Sequence, residues 1–165
     1  MQMTDYFRLF RQWAEERNFE DGATIEGQQL KLVEEVGEIA AAIARNNIDG
    51  IKDGIGDAAV VLTILCFLRG YAIEAVLAAC YPQKIDIAAA LLEDTAFFDD
   101  VSDANILSKV IRSSEVAHYS CTAMVGLVAI AESHELDFVD CLASAWVAIK
   151  DRKGRMIGGV FVKED

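Results

Sequence analysis

At 165 residues with more than half of them apolar, the chain is long enough for one sizeable core, and it reads as a single domain over 1–165. A formal net charge of -12 argues against a nucleic-acid backbone binder, which needs a basic face. The longest apolar run, Ala58 to Leu68, is too short to span a bilayer and reads as a buried helix.

The start, MQMTDYFRLFRQWAEERN, is charged and amphipathic without a signal-peptide core, so a cytoplasmic location and no membrane partner are expected. The four cysteines, Cys66, Cys80, Cys121 and Cys141, sit singly on apolar helical stretches. No CxxC or Cys/His spacing links them, which favours reduced core thiols over disulfides or zinc ligands.

Apolar residues recur every three or four positions, and only one proline interrupts them, so the class is all-α, an antiparallel helical bundle. The first helix is predicted to begin after Thr4 or Asp5, with Tyr6, Leu9, Phe10, Trp13 and Ala14 as its apolar stripe. Trp13 reads as core, with stacking on a base as the alternative role. Asn18 to Gly22 breaks this helix.

A second helix is expected over about 25–46 and a third up to Leu68, stopped by Gly70. This pair, 25–69, holds Glu34, Glu35, Glu38, Asp53 and Asp57 in otherwise apolar surroundings. Residues three and four apart share a helix face, and a short connection makes the helices antiparallel neighbours, which sets the two acid patches face to face. Facing carboxylates need a cation or protons, and the simplest neutraliser is a hard divalent metal with oxygen ligands. Lys31 lies one turn before Glu35, either to balance its charge or to touch a phosphate; an exposed salt bridge is the plain reading.

Further helices are expected over Ala72–Tyr81, Ile85–Phe98, one long helix Asn105–Ser133, and Phe138–Arg152, closed by Gly154. The C-terminal helices thus occupy 105–153. The tail MIGGVFVKED reads as a small hairpin or as an extended arm onto a partner. At an offset of 65 residues, Val60, Leu62, Leu77 and Ala78 have identical counterparts at Val125, Leu127, Leu142 and Ala143. If this echo is more than alanine-rich chance, the second half is a degenerate helical repeat that lost its acids.

The run Glu34-Glu35-x-x-Glu38, followed by Gly56-Asp57, resembles the MazG-like branch of the all-α nucleoside triphosphate pyrophosphohydrolases, whose signature is EExxE and then ExxD. RQWAEERNF looks like the first helix of that branch, and IKDRKGRM resembles its ending; 85–116 carries no such likeness. The resemblance implies hydrolysis of a nucleoside triphosphate to a monophosphate and pyrophosphate, with Mg²⁺ or Mn²⁺ as cofactor. It implies Glu35, Glu38 and Asp57 as main ligands, Asp53 as a further ligand, and Glu34 as ligand or base. It also implies a homodimer or homotetramer.

Lys150, Arg152 and Lys153 read either as phosphate contacts or as a basic end complementing a helix dipole. There are departures from the pattern. The ExxD glutamate falls on Gly54, for which Asp53 is the replacement, and Val147-Ala148 stands where a polar pair is expected. Two other readings compete: a catalytically silent nucleotide-binding bundle, and a di-iron carboxylate bundle suggested by Glu115-Val-Ala-His118.

Overall fold

The computed structural model describes residues 1–116 and 119–164, apart from the side chain of Val160. Its helices are α1 (Met3–Glu16), α2 (Phe19–Gly22), α3 (Ile25–Ala44), α4 (Ile48–Leu68), α5 (Ile73–Cys80), α6 (Ile87–Asp94), a 3₁₀ turn (Thr95–Phe98), α7 (Asp103–Ser113), α8 (Ser120–Ser133) and α9 (Phe138–Ile149). A two-stranded antiparallel hairpin, β1 (Gly154–Ile157) and β2 (Val160–Lys163), closes the chain. The expected all-α bundle is therefore what forms. Among the described residues no single helix is long and apolar enough to cross a membrane.

Helix α4 is the centre. From Ala58 to Cys66 every residue on it is buried, because α3, α9, α8 and α1 cover it from different sides. Such a helix shows little amphipathic pattern, as an all-round buried helix should. Side-chain caps define its start and that of α3: Asn47 accepts from the Gly50 amide at 3.1 Å, and Thr24 from the Gly27 amide at 3.0 Å. At α1 the Gln2 amide donates to the Asp5 carboxylate at 2.9 Å, which starts the helix at Met3, ahead of the expected position.

Two glycines set how closely the partners of α4 approach. A Cβ at Gly54 would lie 2.7 Å from Cγ1 of Ile39 on α3, and one at Gly56 would run into the Cys141 carbonyl oxygen on α9. Both are therefore packing positions.

Several expectations are corrected. The long helix over Asn105–Ser133 is two helices, α7 and α8, folded back on each other. Gly126 permits this, since a Cβ there would lie 2.8 Å from Cγ2 of Val110. The predicted helix over Ile85–Phe98 is α6 plus the 3₁₀ turn, and the last helix ends at Ile149 instead of Arg152. Cys80 is exposed, whereas Cys66, Cys121 and Cys141 are buried, and all four are free thiols.

The tail is a hairpin that docks on its own chain. Gly158 and Gly159 have φ of 59° and 86°, the conformations a two-residue hairpin turn requires. The Gly159 carbonyl accepts from the Thr24 amide at 3.1 Å, which ties the hairpin tip to the start of α3.

Candidate functional site

Helix periodicity sorts the five acids. Glu35 shares the buried row of α3 with Leu32, Val36 and Ile39, whereas Glu34 and Glu38 fall on the exposed side. On α4, Asp57 is half-buried and Asp53, one turn earlier, is exposed. The structure thus brings Glu35 and Asp57 together at the α3–α4 interface. Glu34, Glu38 and Asp53 form a rim around them.

Glu35 is the most unusual of the five. Its side chain is only 4% exposed; Oε1 lies 2.6 Å from the Lys31 ammonium, and Oε2 is buried without a hydrogen-bond partner among the described residues. Burial pushes its carboxyl above the usual range, with Lys31 pulling the other way and Glu38 and Glu34 adding to the rise. Burial alone would lower Lys31, but hydrogen bonds to Glu35 and Glu34 make its net shift upward. Glu34 itself points outward and takes the same ammonium at 3.0 Å.

Asp57 is pushed up to about 6, first by burial and then by the charge of Glu35; Arg152 and Lys31 oppose this, and Asp53 adds slightly to it. Asp53 Oδ1 accepts from the Ser144 hydroxyl on α9 at 3.0 Å. Its carboxylate is therefore aimed along the α4–α9 seam. Among the described residues no three His, Cys, Asp or Glu side chains already converge on a single point.

Beside Glu35 and Asp57 lies a cavity of about 80 Å³, whose wall includes Lys31, Gln28, Arg152, Trp13, Phe19 and Phe161. Of the three C-terminal cations only Arg152 faces it. Lys150 is exposed beside Asp151, and Lys153 is exposed as well. Trp13 is both core and wall: its indole N–H donates to the Ile149 carbonyl at 2.7 Å, and its ring lies 5.3 Å from both Phe19 and Phe161.

Arg17, missed at the sequence level, fixes this corner. Its guanidinium donates to the carbonyls of Arg152, Lys150 and Trp13 and sits 4.7 Å over the Trp13 ring. Gln28 was missed too, although it lies three and seven residues before Lys31 and Glu35, a spacing that shares their face. Phe19 and Phe161 gave no local signal, because only the fold brings them to Trp13.

The di-iron reading rested on His118, which lies outside the described residues. Glu115 is exposed, and its carbonyl accepts from Arg69 at 3.1 Å. His134 is engaged by Asp103 at 3.1 Å.

Residues 24–85 match the family model of the MazG nucleotide pyrophosphohydrolase domain. A 66-residue stretch is 50% identical to an uncharacterized 18.2 kDa protein from the rep-hol intergenic region of Haemophilus phage HP1 (strain HP1c1), covering 38% of this chain and 40% of that protein. The chain thus spans well under two thirds of the length of the curated relative it matches. No solved structure matches it. Residues 24–85, the segment that carries Glu34, Glu35, Glu38, Asp53 and Asp57, are thus similar to the MazG nucleotide pyrophosphohydrolase domain.

Proposed function

We propose that this protein hydrolyses a nucleoside triphosphate between the α and β phosphates, releasing a nucleoside monophosphate and pyrophosphate. The observation that carries this reading is the pairing of buried Glu35 with half-buried Asp57 inside the matched segment, next to Arg152 and with Glu35 Oε2 unpartnered among the described residues.

The donor set fits a magnesium or manganese ion. Both carboxylates offer hard oxygen ligands, and Mg²⁺ is commonly held by only one or two carboxylates together with waters and substrate phosphates. Glu35 and Asp57 would hold it, with Glu38 and Asp53 on the rim as further ligands. When bound, the ion supplies charge neutralisation and a more acidic water.

The protein's own groups do the rest. Arg152 faces the phosphate chain from the α9 end and fits bidentate contact with it. Lys31 keeps Glu35 ionised in a buried place. Glu34, exposed on the rim and hydrogen-bonded to Lys31, orients the attacking water as general base. Trp13, Phe19 and Phe161 offer apolar and aromatic surface to the nucleoside.

The cavity is far smaller than the 300 Å³ or more that small-molecule sites occupy. Exposed Leu30 and Val33 on α3 and Val147 on α9 are apolar surface that a homodimer or homotetramer would cover.

The test is product analysis across NTPs and dNTPs with Mg²⁺ and Mn²⁺. Pyrophosphate and monophosphate in equal amounts are expected, lost in Glu35→Gln, Glu38→Gln and Asp57→Asn, each with an unchanged helical CD spectrum. Orthophosphate as the product, or full turnover in the Glu35 and Asp57 variants, overturns the reading. Metal-dependent binding without turnover would identify the silent binding module instead.

A further inference from the structure

The fold repeats an arrangement within itself. Helix α3 folds back on α4, and α7 folds back on α8; α9 packs on α4 while α5 packs on α8, so each helical hairpin carries the third helix of the other unit. Helices α3 and α7 meet where the units join. The 65-residue echo follows the same elements, setting Val60 and Leu62 of α4 on Val125 and Leu127 of α8, and Leu77 of α5 on Leu142 of α9. Sequence offset and packing order therefore agree in pairing α4 with α8 and α5 with α9.

That relation assigns a counterpart to the acid site. Under the same offset Asp57 falls on Thr122 and Val60 on Val125. Asp57 and Val60 line the cavity of the acid site, and Thr122 and Val125 line a second cavity of about 610 Å³ between α7, α8 and the 3₁₀ turn. This second cavity lies in the half of the chain beyond the matched segment.

Its wall carries more cations than acids. Under the offset a hydroxyl, that of Thr122, stands where Asp57 would be, and α7 lines the cavity with Lys109 and Arg112, one turn apart. Both cations are exposed, and neither is in an ion pair among the described residues. The acid on this wall, Asp94, already accepts the Tyr81 hydroxyl at 2.6 Å. Phe97 is 81% exposed at the mouth, held edge-on against buried Phe98 with ring centroids 6.2 Å apart. The volume lies within the range of small-molecule sites.

We propose that this second cavity binds a nucleoside monophosphate without a divalent metal, its phosphate held by Lys109 and Arg112 and its base stacked on Phe97. A planar ring beside two cations suits an aromatic phosphate, since Arg pairs bidentately with phosphate and bases stack on aromatic side chains. The choice of a nucleotide as ligand rests on the reading of the acid site; the cavity and its cations do not.

The experiment is titration calorimetry of the full chain in EDTA with AMP, TMP, adenosine and inorganic phosphate. Without metal the acid site repels phosphate, so only the second cavity is read. A Kd for AMP or TMP below about 1 mM is expected, weakened at least about tenfold in Lys109→Ala/Arg112→Ala. Phe97→Ala should weaken the nucleotides while leaving inorganic phosphate unchanged. All these positions are exposed, and CD checks that each variant is folded. No binding in EDTA, equal binding by the double variant, or inorganic phosphate binding as tightly as AMP each overturns the proposal. Pyrophosphate release with Mg²⁺ is scored separately, so failure of the acid-site reading leaves this result legible.

Discussion

The Lys31 ammonium sits 2.6 Å from one oxygen of buried Glu35 and leaves the other without a partner among the described residues. Half of that carboxylate is neutralised by the protein and half is open. Lys31→Met keeps the aliphatic stem and removes the charge, so Glu35 is left ionised in a site that solvates it poorly. The metal-free variant should lose about 1–2 kcal/mol at pH 8, less than a fully buried pair because Lys31 is about one third exposed. The loss should vanish near pH 4, where the Glu35 carboxyl takes up a proton. Urea unfolding at the two pH values measures it, and equal losses at both would show that the pair does not act through charge.

Asp57 carries its own pH signature. Its folded value of about 6 exceeds the ordinary 3.8, so between these values the folded protein holds more protons than the unfolded chain. Its contribution is therefore most favourable below about pH 4 and is lost as pH rises through 6. Asp57→Asn removes the dependence. Metal-free Asp57→Asn should be more stable than the wild type at pH 8 by about 1–3 kcal/mol and should lose that advantage by pH 4. Magnesium should close the gap by stabilising the wild type alone, by about 2.7 kcal/mol at a hundredfold excess over Kd. Thermal melts with and without Mg²⁺ check both statements.

The all-α class and the α3–α4 pair were legible because periodicity and caps act locally. Periodicity also puts Glu35 on the row of Leu32 and Ile39, so its burial could have been read from spacing. The break between α7 and α8 could not. The segment Ser113–Val116 has no proline or glycine, and the chain turns there because Val110 packs over Gly126, a contact between distant residues. Phe161 was equally opaque: the Val-Phe-Val run foretold a strand, but only the turn at Gly158–Gly159 brings its ring to Trp13.

Gly54, where the family pattern has glutamate, faces Ile39 in the α3–α4 seam. A glutamate restored there would enter packed apolar surroundings. Gly54→Glu should therefore cost about 3 kcal/mol or more through overpacking and buried charge, and should not raise turnover. Gly54→Ala should cost about 1–2 kcal/mol, since Cγ1 of fully buried, β-branched Ile39 must give way, and alanine's helix preference of about 1 kcal/mol offsets only part of that. Gly56→Ala meets the Cys141 backbone carbonyl, which cannot move alone, and should cost about 3 kcal/mol. Chemical denaturation ranks the three; an active and stable Gly54→Glu would show that the fourth acid belongs at that position after all.

Arg17 makes the last prediction. One guanidinium holds the carbonyls of Lys150 and Arg152, on the segment joining α9 to the hairpin, and that of Trp13 on α1. It fastens the segment that carries Arg152 while remaining clear of the acids themselves. Arg17→Ala should leave α3 and α4 as slow to exchange amide hydrogens as in the wild type, while amides of 154–163 exchange faster. If Arg152 meets the substrate phosphates, loosening its anchor weakens substrate binding more than the chemical step. KM should then rise about tenfold with a smaller change in kcat, the signature of lost binding held in common by ground and transition states. Arg17→Lys should not restore it, because a single ammonium cannot span three carbonyls with a planar fork. Uniform loss of protection across α3 and α4 would instead make Arg17 a residue of global stability and remove the hairpin from the account of the site.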